Sequence, residues 1–136
     1  MQDPPSARDL VDAVAGFVRD HALPALEGHT AFHARVALNV LEIVGRELAL
    51  AGPANEAERR RLVSLLGREG SLEQLNAELC ERLARGEVTL ATPGLSEHLW
   101  ETTLAKLAID QPGYAAYRRA LGAGAAGSNP GREQSR

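Results

Sequence analysis

A long helix, predicted from Thr30 to Leu50, limits the folds that this chain can adopt. The stretch TAFHARVALNVLEIVGRELAL is the longest sustained helical pattern in the sequence. Thr30 can cap its first turn, while Gly52 and Pro53 are expected to end it. Glycine tolerates a left-handed helix terminus, and proline cannot continue a helix. At a rise of about 1.5 Å per residue, the helix would be roughly 32 Å long.

Four polar residues lie along one edge of this helix, at spacings of four, three and four residues: Arg35, Asn39, Glu42 and Arg46. These spacings place them in one narrow stripe. The far side carries the apolar residues Phe32, Val36, Val40, Ile43 and Val44. A helix that is apolar over most of its circumference must be covered on several sides. We therefore expect it to be the central helix of a bundle, with Val40 and Ile43 nearly fully buried.

Further helical patterns surround the central one. They run over about 7–21, 55–67, 71–86, 92–110 and 114–121. Ser6 with Asp9, and Ser71 with Gln74, have the spacing of capping boxes. The sequence thus predicts an all-α fold, a bundle of five or six helices in a single domain over 1–121. Residues 122–136 are small or polar and lack periodicity, which is typical of a disordered tail.

Composition and local sequence indicate which kinds of partner and which cellular compartment to expect. The net charge of −3 argues against nucleic acid as a partner, because binding phosphate usually requires a basic surface. Polar residues interrupt the apolar run of the central helix, so we expect no membrane span. The N-terminus lacks the basic and apolar run of a signal peptide, and the single cysteine, Cys80, suits a reducing environment. These features predict a cytoplasmic protein.

No sequence motif predicts a reaction, a metal site or a cofactor. His29 and His33 are four residues apart, but there is no third ligand and no HExxH pattern. The nucleophile motif GxSxG and the phosphate-binding loop are absent. GAGAAG at 122–127 resembles a dinucleotide motif but follows the last helix, where no βαβ unit remains. We therefore expect neither metal nor cofactor, and favour a protein that is not an enzyme.

Two polar constellations are the candidate sites. The first is the stripe from Arg35 to Arg46, and the second comprises Thr103, Lys106 and Asp110 on the helix at 92–110. Both are interpreted first as ordinary solvated surface, because charged residues mostly serve that role. Alternatively, the two constellations converge and bind an anionic group or a partner, with arginine gripping a carboxylate or phosphate in two places.

Three stretches resemble a small, uncharacterised bacterial family, a domain of unknown function. AFHARVALNVLEIVGREL at 31–48 and TTLAKLAIDQPGY at 102–114 look like its two signature stretches, and ARDLVDAVAGFVRDHALPAL at 7–26 agrees with its N-terminal helix. The resemblance covers most of 5–118. It implies a gene often encoded beside an acyl-CoA dehydrogenase and a phosphotransferase resembling aminoglycoside kinases, and it transfers no active-site residues.

Two functional hypotheses follow. The first is a non-catalytic accessory protein that binds or stabilises the neighbouring dehydrogenase or phosphotransferase. The second is a small-ligand binder or enzyme for an anionic acyl-CoA-related metabolite, using Arg35, Arg46 or Lys106. Convergent, buried cations around a pocket would favour the second, whereas a flat apolar surface with the same residues in solvent would favour the first. The sequence leaves the oligomeric state open, a homo-oligomer included.

Overall fold

The computed structural model describes residues 4–126, with side chains described as far as residue 122. Five α-helices and no strand occur in this part of the chain, which confirms the predicted all-α fold with a long central helix. The helices are α1 (Ala7–Phe17), α2 (Gly28–Leu66), α3 (Leu72–Ala84), α4 (Leu95–Asp110) and α5 (Ala115–Ala126). A π-helical turn, Val18–Ala22, and a 3-10 turn, Leu23–Ala25, lead from α1 into α2.

The central helix is longer than predicted. It begins at Gly28 rather than at Thr30, and it continues through Pro53 to Leu66. The predicted helices at 30–50 and 55–67 are therefore one helix of 39 residues. Pro53 removes one backbone hydrogen bond, to the carbonyl four residues earlier. Gly52 and Pro53 are both exposed, so water can satisfy that carbonyl. The helix ends at Gly67, whose φ of 71° is a left-handed conformation that glycine adopts freely.

Both predicted capping boxes are present. The Ser6 hydroxyl accepts a hydrogen bond from the Asp9 backbone N–H, and the Asp9 carboxylate accepts one from the Ser6 backbone N–H in return. Ser71 and Gln74 make the same exchange at the start of α3. These bonds satisfy backbone donors that a helix start otherwise leaves without partners, and so they set where α1 and α3 begin.

The hydrophobic core lies at one end of the molecule. It contains six buried residues from the second half of α2, from α3, from the connector after it and from the start of α4: Leu62, Leu66, Leu75, Leu79, Val88 and Leu95. Leu62, Leu75 and Leu95 have no exposed surface. This end of the chain is a three-helix unit with a continuous interior.

The other end is a two-helix hairpin of α1 and the first half of α2. Arg8 Nη1 donates to the Gly45 carbonyl at 2.7 Å, and a Cβ at Gly45 would lie 3.3 Å from Asp12 Oδ1. The glycine therefore allows α1 to approach α2 closely. Within the described chain, only three small residues are buried at this end: Ala15, Ala31 and Gly45.

The prediction that Val40 is nearly fully buried is wrong for the single chain, because 51% of its surface is exposed. Ile43 is half-buried. No described helix packs on the side of α2 that faces away from α1 in this half. The apolar pattern alone predicted that other helices would cover this side of α2, and within the described chain none does.

Truncation after Leu121 is expected to leave the thermal midpoint within about two degrees of the wild-type value. The helix α5 runs to Ala126, five residues into the segment predicted to be a tail, and 127–136 lie outside the described residues. Leu121 is half exposed, so the helix buries little apolar surface at this point. Differential scanning calorimetry of both forms would measure the change, and a drop of many degrees would contradict the prediction.

None of the helices described in residues 4–126 is both long enough and apolar enough to cross a membrane.

Candidate functional site

The first polar constellation follows the edge of α2 as predicted. Arg35 and Asn39 are exposed, and neither takes part in a side-chain hydrogen bond or ion pair among the described residues. Glu42 Oε1 accepts a hydrogen bond from Arg19 Nη2 at 2.7 Å, across to the turn after α1. The negative charge of the stripe is therefore paired with Arg19 in the turn after α1, and Arg35 is left facing solvent.

The second constellation lies on an open face of α4. Leu99, Thr103, Lys106 and Asp110 repeat the spacing of four, three and four residues, and all are exposed. Thr103 Oγ1 donates to the Leu99 carbonyl at 2.7 Å, one helical turn earlier. Within the described part of the chain, the Lys106 ammonium has no carboxylate within ion-pair distance. This cation is therefore available to an external partner.

The two constellations meet at Arg46. Arg46 Nε donates to the Ile109 carbonyl at 2.6 Å, in the last turn of α4. A cation there satisfies a carbonyl that the helix leaves without a partner, and it interacts favourably with the negative end of the helix dipole. Arg35 lies eleven residues before Arg46, or about 16 Å along the axis of α2. The candidate residues thus form an extended band rather than one compact pocket, and Arg46 connects the part on α2 to the part on α4.

An exposed aromatic residue adjoins this band. Trp100, the only tryptophan in the chain, is 55% exposed on α4, and its neighbour Leu99 is 42% exposed. Helical spacing sets Trp100 on a face with Leu104 and Leu107, and these two residues are the half-buried members of that face. Tryptophan and arginine are the residues that most often dominate the energetics of protein interfaces. We refer to Leu99, Thr103, Lys106 and Asp110, together with Trp100 on the adjoining side of the helix, as the α4 face.

A buried polar cluster, which sequence reasoning missed, lies between α2, α3 and α4. His98 is 3% exposed, and its Nδ1 has no hydrogen-bond partner among the described residues. Arg61 Nη2 donates to Thr102 Oγ1 at 3.3 Å, and Glu58 Oε1 accepts from Asn76 Nδ2 at 2.9 Å. Burial, with a further contribution from the Arg61 charge, lowers the pKa of His98, against a smaller opposing effect of Glu58. The imidazole is therefore held neutral.

The other polar groupings have local explanations. His29 Nε2 and His33 Nε2 lie 3.1 Å apart on the exposed start of α2. No set of three or more potential metal ligands occurs in the part of the chain that the structure describes. An open groove of about 530 Å³ along α3 is lined by Arg68, Glu78 and Arg82 among others. The hydrogen bond from Arg68 lowers the pKa of Glu78, which also pairs with Arg82, so these charges largely satisfy one another.

A family of domains of unknown function, DUF6285, matches this chain over residues 24–114. The chain belongs to the DUF6285 family. The match spans α2, α3 and α4, and so it includes the whole band from Arg35 to Asp110. It begins after α1, so the hairpin partner of α2 lies outside the matched region of this DUF6285 chain. No curated protein and no solved structure matches the chain.

Proposed function

We propose that this DUF6285 protein is a non-catalytic accessory protein that binds another protein through the α4 face. The observation that carries the proposal is the exposure of Trp100 and of Lys106, which each lie one helical turn from Thr103, and the Lys106 charge has no partner in the described chain. A large aromatic residue flanked by polar groups is the usual composition of an interface centre and its rim. Such a pair supports binding and contains no nucleophile or acid–base pair.

The shape of the band favours a macromolecular partner over a small anion. Binding one carboxylate or phosphate with several cations requires those cations to converge within a few ångströms. Arg46 is already engaged with the Ile109 carbonyl, and Arg35 is about 16 Å away along α2. An extended acidic or mixed surface of a protein can contact both ends of the band, whereas a single carboxylate or phosphate cannot. These placements support a protein partner over one compact anion bound by both arginines.

The resemblance in the sequence suggests the identity of the partner. We propose a neighbouring acyl-CoA dehydrogenase or a phosphotransferase resembling aminoglycoside kinases, in a bacterial cytoplasm. The α4 face would dock on that enzyme, and Arg35 would contact it at the far end of the band. Both candidates can be purified separately, which allows the proposal to be tested one enzyme at a time.

Trp100→Ala is expected to weaken capture of the partner enzyme about 30-fold, as truncation of a hot-spot tryptophan costs roughly 2 kcal/mol or more. Lys106→Ala and Arg35→Ala are expected to have smaller effects that diminish at high salt, because they remove charges at the rim. Affinity is measured by titrating each purified enzyme onto the immobilised protein. Circular dichroism of each variant checks that the fold is retained.

Two matched variants separate the α4 face from general surface effects. Leu90→Ala removes a 75% exposed apolar side chain in the connector between α3 and α4, and Arg60→Ala removes an exposed cation from the second half of α2. Both controls should bind with wild-type affinity. Unchanged binding by Trp100→Ala and Lys106→Ala would exclude the α4 face as the docking site. Failure of both enzymes to bind the wild-type protein would contradict the proposed partners.

A further inference from the structure

A second surface, on a different side of α2, has no cover within the described chain. Five large apolar residues follow one another at intervals of four, and we call them the α2 ridge: Phe32, Val36, Val40, Val44 and Leu48. Each is between 39% and 57% exposed. Residues four apart stack into a continuous row on a helix. Val40 is about 200° around the helix from Leu38, which is half-buried in the half of α2 that packs against α1.

The ridge belongs to the half of the molecule that has almost no core of its own. The six residues of the hydrophobic core all lie from Leu62 onward in the sequence, while the described hairpin end buries only Ala15, Ala31 and Gly45. Two helices packed on each other expose most of their surface. A continuous apolar row on such a hairpin marks a contact surface rather than scattered surface residues.

We infer that a second copy of this chain covers the α2 ridge, in an antiparallel arrangement whose two-fold axis passes beside Val40. The ridge is palindromic in position and nearly so in chemistry. Two-fold symmetry about Val40 sets Val36 of one copy against Val44 of the other, and Phe32 against Leu48. Every apolar ridge residue therefore meets another one. A two-fold interface requires this self-complementarity, since the same patch occurs on both sides.

The ridge approaches the size that a specific interface needs. At the fractions exposed, it presents roughly 450 Å² per copy, given that an aromatic side chain contributes about 150–250 Å² when fully covered. The exposed residues His33 and Glu47 lie beside the row on the same side of α2 and would be covered with it. A specific interface buries at least about 1,000 Å² in total over the two partners.

The antiparallel direction also suits the polar residues beside the ridge. The two-fold axis sets His33 of one copy against Glu47 of the other, so that no two like charges face each other there. Helices that contact along this much of their length cross at about +20°, the angle of most four-helix bundles. The two hairpins then form a four-helix arrangement that gives the first half of α2 the cover its apolarity requires.

Light scattering coupled to size-exclusion chromatography tests the stoichiometry. The wild-type protein should have twice the 14.5 kDa mass of the chain at micromolar concentration. Val40→Lys should weaken the dimer at least about 100-fold, because two ammonium groups meet at the axis. Leu90→Lys places the same charge on the exposed connector and should remain dimeric. A monomeric wild-type protein, or a Val40→Lys variant that still forms a dimer, would overturn the inference.

Cross-linking tests the geometry without relying on a variant that disrupts the interface. In a Cys80→Ser background, which removes the exposed native thiol, Val40→Cys should form an intermolecular disulfide on mild oxidation because the two Cβ atoms face each other at the axis. A mixture of Val36→Cys and Val44→Cys proteins should cross-link more efficiently than either protein alone. Preferential linking of Val36→Cys to itself indicates parallel helices, and no linking at Val40→Cys places the contact elsewhere. Either result refutes the arrangement.

The α2 ridge and the α4 face are different surfaces, and Trp100→Ala should leave the dimer intact. Loss of the dimer in Val40→Lys with retained enzyme capture separates the two ideas experimentally. A wild-type monomer that still captures the enzyme would refute only the dimer.

Discussion

Replacing Leu62 with alanine is expected to lower the free energy of unfolding by about 2–5 kcal/mol, the range for a fully buried leucine whose removal leaves a cavity. Leu62 has no exposed surface and lies in the core where α2, α3 and α4 meet. Its neighbours Leu75 and Leu95 are also fully buried and come from two other elements. The site therefore cannot collapse around the smaller side chain without moving a helix.

Urea denaturation followed by circular dichroism measures this effect. Leu90→Ala makes the same chemical change at a residue that is 75% exposed, and it should cost less than about 0.5 kcal/mol. Comparable losses in the two variants would show that the core lies elsewhere. Both residues lie outside the α2 ridge and the α4 face, so the comparison is independent of dimerisation and partner binding.

The helices could be predicted where local chemistry decides them. The Ser6 and Ser71 capping boxes act within four residues, and both are present as predicted. The break predicted at Gly52 and Pro53 is wrong for a reason that local rules miss. The second half of α2 is held by packing of Leu62 and Leu66 in the core, and this long-range burial outweighs the one backbone bond that Pro53 removes.

Burial was harder to predict than helicity. The apolar side of the first half of α2 was correctly identified from periodicity, yet Val40 is half exposed in the single chain. Periodicity shows which face of a helix avoids water, but not whether its cover comes from the same chain or from another. An apolar helix face therefore has the same sequence pattern whether it is covered by its own chain or by a second copy in a dimer.

The candidate residues show the same limit. Spacing predicted that Arg35 and Arg46 share an edge and that Thr103 and Lys106 share a face, and helical geometry fixes both. That Arg46 reaches the Ile109 carbonyl depends on how α4 packs, which spacing does not encode. His98 carried no motif, although it lies three residues after Leu95 and four before Thr102, on the face of α4 that packs inward.

Acidification below neutral pH is expected to destabilise the wild-type protein, and His98 is expected to account for part of that loss. His98 is buried against Arg61 and Glu58 of α2, with Thr102 on its own helix and Asn76 of α3 bonded to Glu58. Burial and then the Arg61 charge lower the pKa of His98 in the folded protein below its usual value near 6.5. In the unfolded chain, His98 binds a proton with an ordinary pKa.

The sign of the effect follows from proton binding. Well above pH 6.5 the imidazole is neutral in both states, and this titration then takes nothing from the stability of the fold. As the pH falls from 6.5 through the lower pKa of the folded state, the unfolded chain binds the proton first, and stability is lost with a slope of at most about 1.4 kcal/mol per pH unit.

His98→Gln removes this titration while keeping a polar side chain of similar reach. Urea unfolding between pH 7 and pH 5 should therefore show a shallower loss for His98→Gln than for the wild type. Parallel curves for the two proteins would mean that the buried imidazole does not couple folding to pH.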